Sequence, residues 1–188
     1  MTPSRFAFTS TPLSGLIVIQ RKPIEDDRGF LCRFYCAEDF REAGLRKPIV
    51  QINHTLTRKK GAVRGLHFQY PPHAEAKIVS CLKGEIYDVA VDIRHGSPTF
   101  LRWYAEVLSA DNSKSLLIPE GFAHGFQTLT EECELIYLHT ASYAPDAEGG
   151  LNVRDPCLAI TWPLSISELS NRDLSYPYID DRFEGIRL

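Results

Sequence analysis

The feature that most constrains this chain is the alternation along Glu85–Arg94. Tyr87, Val89, Val91 and Ile93 share one parity; Ile86, Asp88, Ala90 and Asp92 share the other. A period of two is strand geometry, because successive side chains leave the backbone on opposite faces. The same period sets Leu135, Tyr137 and His139 against Ile136, Leu138 and Thr140. Ile78–Leu82, Phe100–Leu108 and Leu116–Ile118 are further strand candidates. Turn formers interrupt them at Lys83-Gly84, His95-Gly96-Ser97-Pro98, Asp111-Asn112-Ser113 and Pro119-Glu120-Gly121. Short strands between such turns predict a mainly β chain built as a sandwich or barrel. One short helix is expected over Ala37–Ala43, stopped by Gly44, and a further helical turn or two within Ser165–Asp173.

At 188 residues, with no repeat, linker or low-complexity tract, the chain reads as one domain over residues 1–188 with a substantial core. Its net charge is −3, so no basic field advertises nucleic-acid binding. Arg58-Lys59-Lys60, the one basic run, reads as a solvated turn. No apolar stretch approaches the roughly 18 residues of a membrane span, and the N-terminus lacks the form of a signal peptide. Cys32, Cys36, Cys81, Cys133 and Cys157 match no zinc spacing and read as reduced thiols of a cytoplasmic protein.

One strand departs from the usual pattern. In Val50–Leu56 the parity carrying Gln51, Asn53 and Thr55 is wholly polar, whereas Val50, Ile52, His54 and Leu56 share the other. The polar side is either a solvated outer face or the wall of a wet cavity inside a barrel.

Two segments concentrate the chemistry. Lys60-Gly61-Ala62-Val63-Arg64-Gly65-Leu66-His67-Phe68-Gln69 is answered by Ile118-Pro119-Glu120-Gly121-Phe122-Ala123-His124-Gly125-Phe126. Their glycine–histidine spacings resemble the two motifs of cupin barrels. A cupin metal site wants a second histidine two residues after the first. Gln69 stands there, a poor ligand for zinc or iron, and Lys77 would oppose a cation. No metal is therefore expected. There is also no Gly-x-Ser-x-Gly segment, P-loop or dinucleotide fingerprint. Proton transfer fits better, with His67, Asp173, Tyr137, Tyr143 and Lys77 as candidates.

In these residues the chain resembles the RmlC-type nucleotide-sugar 3,5-epimerases, the dTDP-4-dehydrorhamnose 3,5-epimerase-like family. The likeness runs from about Leu16 to Pro177. It takes in Asp27-Arg28-Gly29-Phe30, the Gln51/Asn53 strand, Arg64–Gln69, Lys77, Tyr87–Asp92 and Gly96–Thr99. It continues through Pro119–Phe126, Asp155-Pro156, Trp162-Pro163 and Ser170-Asn171-Arg172-Asp173.

The resemblance implies a cupin-type jelly-roll β-barrel with a few short helices, working as a homodimer without metal or cofactor. The implied partner is a nucleoside-diphosphate 4-keto sugar. His67 matches the base, Asp173 its dyad partner and Tyr137 the acid on the other side of the ring. Lys77 and Arg64 match residues around the sugar. Arg28 and His124 match nucleotide- or phosphate-contacting positions, Arg28 across the dimer, and Tyr143 a second tyrosine near the ligand. Gln51, Asn53 and Gln69 complete the expected binding set.

Three positions depart from the family pattern: Arg33 where many members carry Glu, Glu75 where they carry Gln, and Leu138 where a polar residue is usual. The implied activity is an isomerase reaction, epimerisation at C3 and/or C5 of a 4-keto-6-deoxyhexose. Four alternatives stand beside it: a single-centre epimerase, a CDP- or GDP-linked substrate, a metal-dependent cupin oxygenase, and a sugar-nucleotide-binding barrel without catalysis.

Overall fold

The computed structural model describes residues 4–188. Six strands form one sheet in the order β1 (Phe6–Ser10), β2 (Ile17–Arg21), β10 (Lys114–Ile118), β7 (Lys77–Lys83), β12 (Cys133–His139) and β5 (Gln51–Thr57). Five form the other: β13 (Glu148–Gly150), β6 (Val63–Gln69), β11 (Phe122–Thr128), β8 (Glu85–Asp92) and β9 (Trp103–Ser109). All of these pairings are antiparallel, and most join strands distant in sequence. This is the cupin-type jelly-roll barrel. A hairpin of β3 (Ile24–Asp26) and β4 (Gly29–Leu31) stands apart from both sheets.

Three apolar clusters explain the sequence pattern. Between the sheets lie Val79, Cys81, Ile86, Ala90, Leu116, Ile118, Phe126 and Leu135. Outside the five-stranded sheet, Leu66, Val89, Val91, Ile93 and Ala123 are covered by the C-terminal loops. Outside the six-stranded sheet, Ile19, Ile78, Leu117 and Leu138 are covered by helix α1 (Ala37–Glu42) through Phe40. Both parities of β8 are thus buried, which is why its apolar residues run on almost without a break. Each fully buried large apolar side chain contributes roughly 1.5–3 kcal/mol relative to exposure.

Helix α1 begins with Glu38 and Asp39 in its first turn and carries Arg41 in its last, as the helix dipole favours. Gly44, at φ +98°, ends it in the left-handed conformation. Phe40 meets Phe6 and Phe8 edge to face, which docks the helix on the sheet.

Two sequence expectations shift. The strand expected from Phe100 begins at Trp103, because Ser97–Arg102 folds into turns closed by Phe100 N–H to Ser97 O (3.1 Å) and Arg102 N–H to Thr99 O (2.9 Å). The buried Asp92 carboxylate accepts the Ser97 and Thr99 hydroxyls and holds that turn. The helix expected within Ser165–Asp173 starts only at Asn171: α2 spans Asn171–Ser175. Glu168 before it is extended and bridges to Ala62. The β1–β2 pair, the β3–β4 hairpin and β13 carried too short or too weak a pattern to be anticipated.

The barrel bore has a dry end and a wet end. Along the inner face of β12, Cys133 and Leu135 pack in the core, while Tyr137 and His139 line an open cavity. On β7, Cys81 and Val79 are core and Lys77 lines the cavity.

Candidate active site

The cavity has a volume of about 330 Å³, within the range of small-molecule sites. Its floor and walls come from both sheets. Gln51, Asn53 and Thr55 line it, so the polar side of β5 faces inward and the wet-cavity reading of that strand holds. A neighbouring depression of about 560 Å³, edged by Arg58, Lys59 and Glu168, shares Arg64, His67 and Arg172 with it.

Arg64 and His67 differ by three positions and would point to opposite faces of a regular strand. Both nevertheless line the cavity. The β6–β11 register shifts between His124 and Phe126, the local irregularity that lets two odd-spaced side chains share a face. A close backbone approach accompanies it. A Cβ at Gly65 would lie 2.5 Å from Gly125 Cα, and one at Gly125 would lie 2.6 Å from Arg64 O. Gly65 also sits at φ +123°, so no other residue fits there without strain.

His67 Nε2 lies 2.7 Å from Asp173 Oδ1. Asp173 is delivered by α2, whose N-cap Ser170 accepts the Asp173 N–H at 3.0 Å. Burial pushes the Asp173 carboxyl up, but the His67 contact, the Gly65 N–H and Ser170 outweigh it and hold the acid below its usual range. An ionised carboxylate at 2.7 Å claims the Nε2–H. Arg172 Nη2, 3.2 Å from the same nitrogen, therefore cannot also donate to it. Nδ1 is left as the basic nitrogen. Arg172 is itself neutralised by Glu148 at 2.6 Å.

Tyr137 rises from the opposite sheet. Burial and the nearby Asp88 carboxylate push its phenol well above the ordinary value, so its proton is retained through neutral pH. It is flanked by His124 (ring centroids 6.1 Å) and His139 (6.0 Å). His124, directly opposite His67 in the β11–β6 register, is bonded to Asp88 at 2.7 Å and nearly buried. Lys77, from β7, pairs with Glu75 at 2.9 Å.

The other expected residues divide. Tyr143 stands exposed at the mouth, its hydroxyl donating to Glu148 at 2.9 Å. Gln69 lines the cavity, but its amide is taken up by structure: it donates to His73 O and Ser142 O and accepts from Ala144 N–H at 2.7 Å. Its job is to hold the loop that carries Tyr143. Arg28 is not in the cavity. It sits on the exposed β3–β4 hairpin, paired with Asp26 at 2.6 Å.

Glu75, His139, Glu148 and Arg172 line the cavity without having been singled out as binding residues. His139 was in phase with Tyr137, and Arg172 adjoins Asp173, so both had a readable signal; Glu148 had none. Among the described residues, no group of three or more His, Cys, Asp or Glu side chains could hold a metal ion.

The barrel thus sets His67, backed by Asp173, on one wall of the cavity and a protonated Tyr137 on the other, with Lys77, Arg64 and Arg172 around them. Comparison with known proteins gives the family. The model of the dTDP-4-dehydrorhamnose 3,5-epimerase family matches residues 10–181, and the chain belongs to that family. It is 44% identical over 172 residues to the dTDP-4-dehydrorhamnose 3,5-epimerase of Salmonella typhimurium, covering 90% of this chain and 93% of that one. The crystal structure of a dTDP-6-deoxy-D-glucose-3,5-epimerase from Legionella pneumophila, in complex with dTDP-4-keto-L-rhamnose, superposes with a TM-score of 0.91. It shares 37% identity and covers 97% of this chain and 98% of its own. A 3'-monoepimerase from Streptomyces bikiniensis in complex with dTDP-quinovose is more distant, at 34% identity and TM-score 0.81, covering 89% and 85%.

Proposed function

We propose that this chain converts dTDP-4-dehydro-6-deoxyglucose to dTDP-4-dehydrorhamnose by inverting C3 and C5 through proton transfer, without a metal. The observation that carries the reading is the placement of His67, backed by Asp173, and Tyr137 on opposite sheets of one cavity, with Lys77 on the strand beside that of Tyr137. The curated relatives are named 3,5-epimerases, which favours two centres over one.

The C4 carbonyl acidifies the C3 and C5 hydrogens, because loss of either proton gives an enolate delocalised onto O4. A gap of roughly 12 pKa units between histidine and that carbon acid corresponds to ~16 kcal/mol. General-base catalysis supplies about 10²–10⁴-fold, so most of the remainder comes from charge stabilisation at O4. In this reading His67 Nδ1 takes the proton and Asp173 stabilises the imidazolium. Lys77 faces the developing oxyanion, and Tyr137 delivers its hydroxyl proton to the other face of the carbon. The imidazolium then returns its proton to water, which also reprotonates the tyrosinate. Arg64, Arg172 and His124 serve the diphosphate, and Tyr143 the base at the mouth.

The reading includes a homodimer. The β3–β4 hairpin exposes Phe30 (73%) and Leu31 (63%), and edge strand β5 exposes Ile52 (60%). An apolar sheet edge of this kind calls for cover, and a second copy laid along it would bring a partner Arg28 to the cavity mouth. It also includes a cytoplasmic location, which five unpaired cysteines suit; among the described residues no helix is long and apolar enough to cross a membrane.

The direct test is incubation with the 4-keto nucleotide sugar in deuterated water, followed by NMR. Deuterium at both C3 and C5 with the inverted product is expected. Absence of exchange at either carbon overturns the two-centre reading. A stable, fully active monomer in sedimentation would overturn the dimer.

A further inference from the structure

A third histidine–carboxylate pair, His139–Glu75, lines the same cavity and takes no part in the proposed proton transfers. Glu75 is nearly buried and divides its two oxygens. Oε1 holds Lys77 Nζ at 2.9 Å, and Oε2 holds His139 Nδ1 at 2.8 Å. The side chains are 10%, 8% and 11% exposed in the order Glu75, Lys77, His139. His139 and Lys77 are direct cross-strand partners, so both enter the bore at one level.

The contacts continue as a chain. Asn53 Nδ2 lies 3.4 Å from His139 Nε2, Gln51 Nε2 donates to Asn53 Oδ1 at 3.2 Å, and Tyr143 N–H donates to Gln51 Oε1 at 2.9 Å. One proton arrangement satisfies every link: a neutral His139 with its hydrogen on Nδ1, donating to Glu75 and accepting from Asn53. Burial pushes the Glu75 carboxyl up, but the His139 hydrogen bond and the Lys77 charge win and bring it down to about 2. The carboxylate is therefore a fixed negative charge at any working pH.

A carboxylate here gives the lysine a charged anchor that the glutamine usual in the family does not. The lysine ammonium is a point charge on a flexible four-carbon stem. The cavity it shares with Arg64 and Arg172 is suited to a diphosphate, whose charge would draw a free ammonium away from the sugar. An ammonium on Glu75 keeps two N–H donors for the ligand and cannot swing.

We propose that Glu75 and His139 are positioning residues: Glu75 tethers the Lys77 ammonium at the sugar end of the cavity, and His139 fixes the carboxylate that does so. The inference rests on the epimerase reading but is tested separately from it. Glu75→Gln lowers kcat by about 10–100-fold, the scale of a misplaced group, with little change in KM. At the same time it binds dTDP alone several-fold more tightly in calorimetry, because the released ammonium reaches the diphosphate.

That gain disappears when Lys77→Met is added. His139→Phe keeps the ring beside Tyr137 and removes both nitrogens; it moves both quantities the same way by less. The double variant with Glu75→Gln is no worse than Glu75→Gln alone, since His139 acts through Glu75.

A wild-type kcat in Glu75→Gln overturns the tether, and so does a dTDP gain that persists with Lys77→Met, which would mean simple removal of negative charge. If Glu75→Gln fails to fold, Glu75→Asp carries the same two measurements, keeping the charge but shortening its reach. Absence of deuterium exchange in the wild type sinks the epimerase reading instead, and the calorimetric arm still decides the tether.

Discussion

Two histidine–carboxylate pairs stand side by side on adjacent strands, His67–Asp173 and His124–Asp88, each bonded at 2.7 Å. They differ in access. His67 is 26% exposed, lines the cavity and takes its carboxylate from a helix outside the sheet. His124 is 6% exposed and takes its carboxylate from the next strand of the same sheet, with Asp88 wholly buried. In the proposed reaction the accessible couple moves protons, while the enclosed one holds His124 rigidly in the cavity wall. In both pairs the carboxylate takes Nε2 and leaves Nδ1, so what distinguishes them is how open the ring is to its surroundings.

Breaking the accessible pair has the largest expected effect on rate. His67→Ala removes the base and lowers hydrogen exchange at both carbons by on the order of 10⁴-fold, while dTDP binding in calorimetry is retained. Near-normal exchange in this variant would remove His67 from the reaction. Asp173→Asn leaves the imidazole in place but favours the wrong tautomer; turnover falls about 10³-fold in a protein with an unchanged circular dichroism spectrum.

Breaking the enclosed pair shows in stability instead. His124→Ala leaves the Asp88 carboxylate buried without its partner and costs about 3–5 kcal/mol in urea unfolding, more than His67→Ala does. Equal losses from the two variants would erase the distinction drawn from access.

Tyr137→Phe sharpens the contrast between the two sheets. It deletes the opposite-face donor at almost constant volume, so the enolate still forms and His67 returns a proton to the original face. The recovered sugar is expected to carry deuterium with little inversion. If label and inversion fall together, Tyr137 is more than a donor.

The smallest effect is on acid stability. The Glu75 carboxyl lies below its unfolded value, at about 2 against 4.5. Its contribution is therefore complete above the unfolded value and is lost as pH falls through about 2. Tm of the wild type should decline over that window more steeply than Tm of Glu75→Gln; parallel curves would contradict the ion pair.

Much of this was legible in the chain. The alternation in β8 and β12, the polar side of β5, and the paired segments around His67 and His124 were all readable. Asp173 and Tyr137 were single residues whose weight came from family resemblance, because nothing local distinguishes a dyad aspartate from any N-terminal helix acid. Glu75 and His139 escaped for a physical reason. They are 64 residues apart in sequence, and a hydrogen bond between a loop and a strand leaves no periodic trace. Gln69 was assigned to the ligand because it belongs to the segment that carries the family resemblance. Whether a side-chain amide is free or already bonded to three backbone groups depends on loops that meet it only in the folded chain.

The sequence by itself determined most of the longer strands and which side chains share a face, because alternation is a local property of the backbone; the barrel followed from the family resemblance those residues carry. It also supplied the chemical inventory of histidines, carboxylates, lysine and phenol. Only the tertiary structure decided where along each strand the bore turns from dry to wet. It alone decided that a register shift between His124 and Phe126 puts Arg64 and His67 on one side, and which carboxylate each histidine meets. Those outcomes depend on strand register and on contacts between distant segments, and register is set by packing the whole barrel at once.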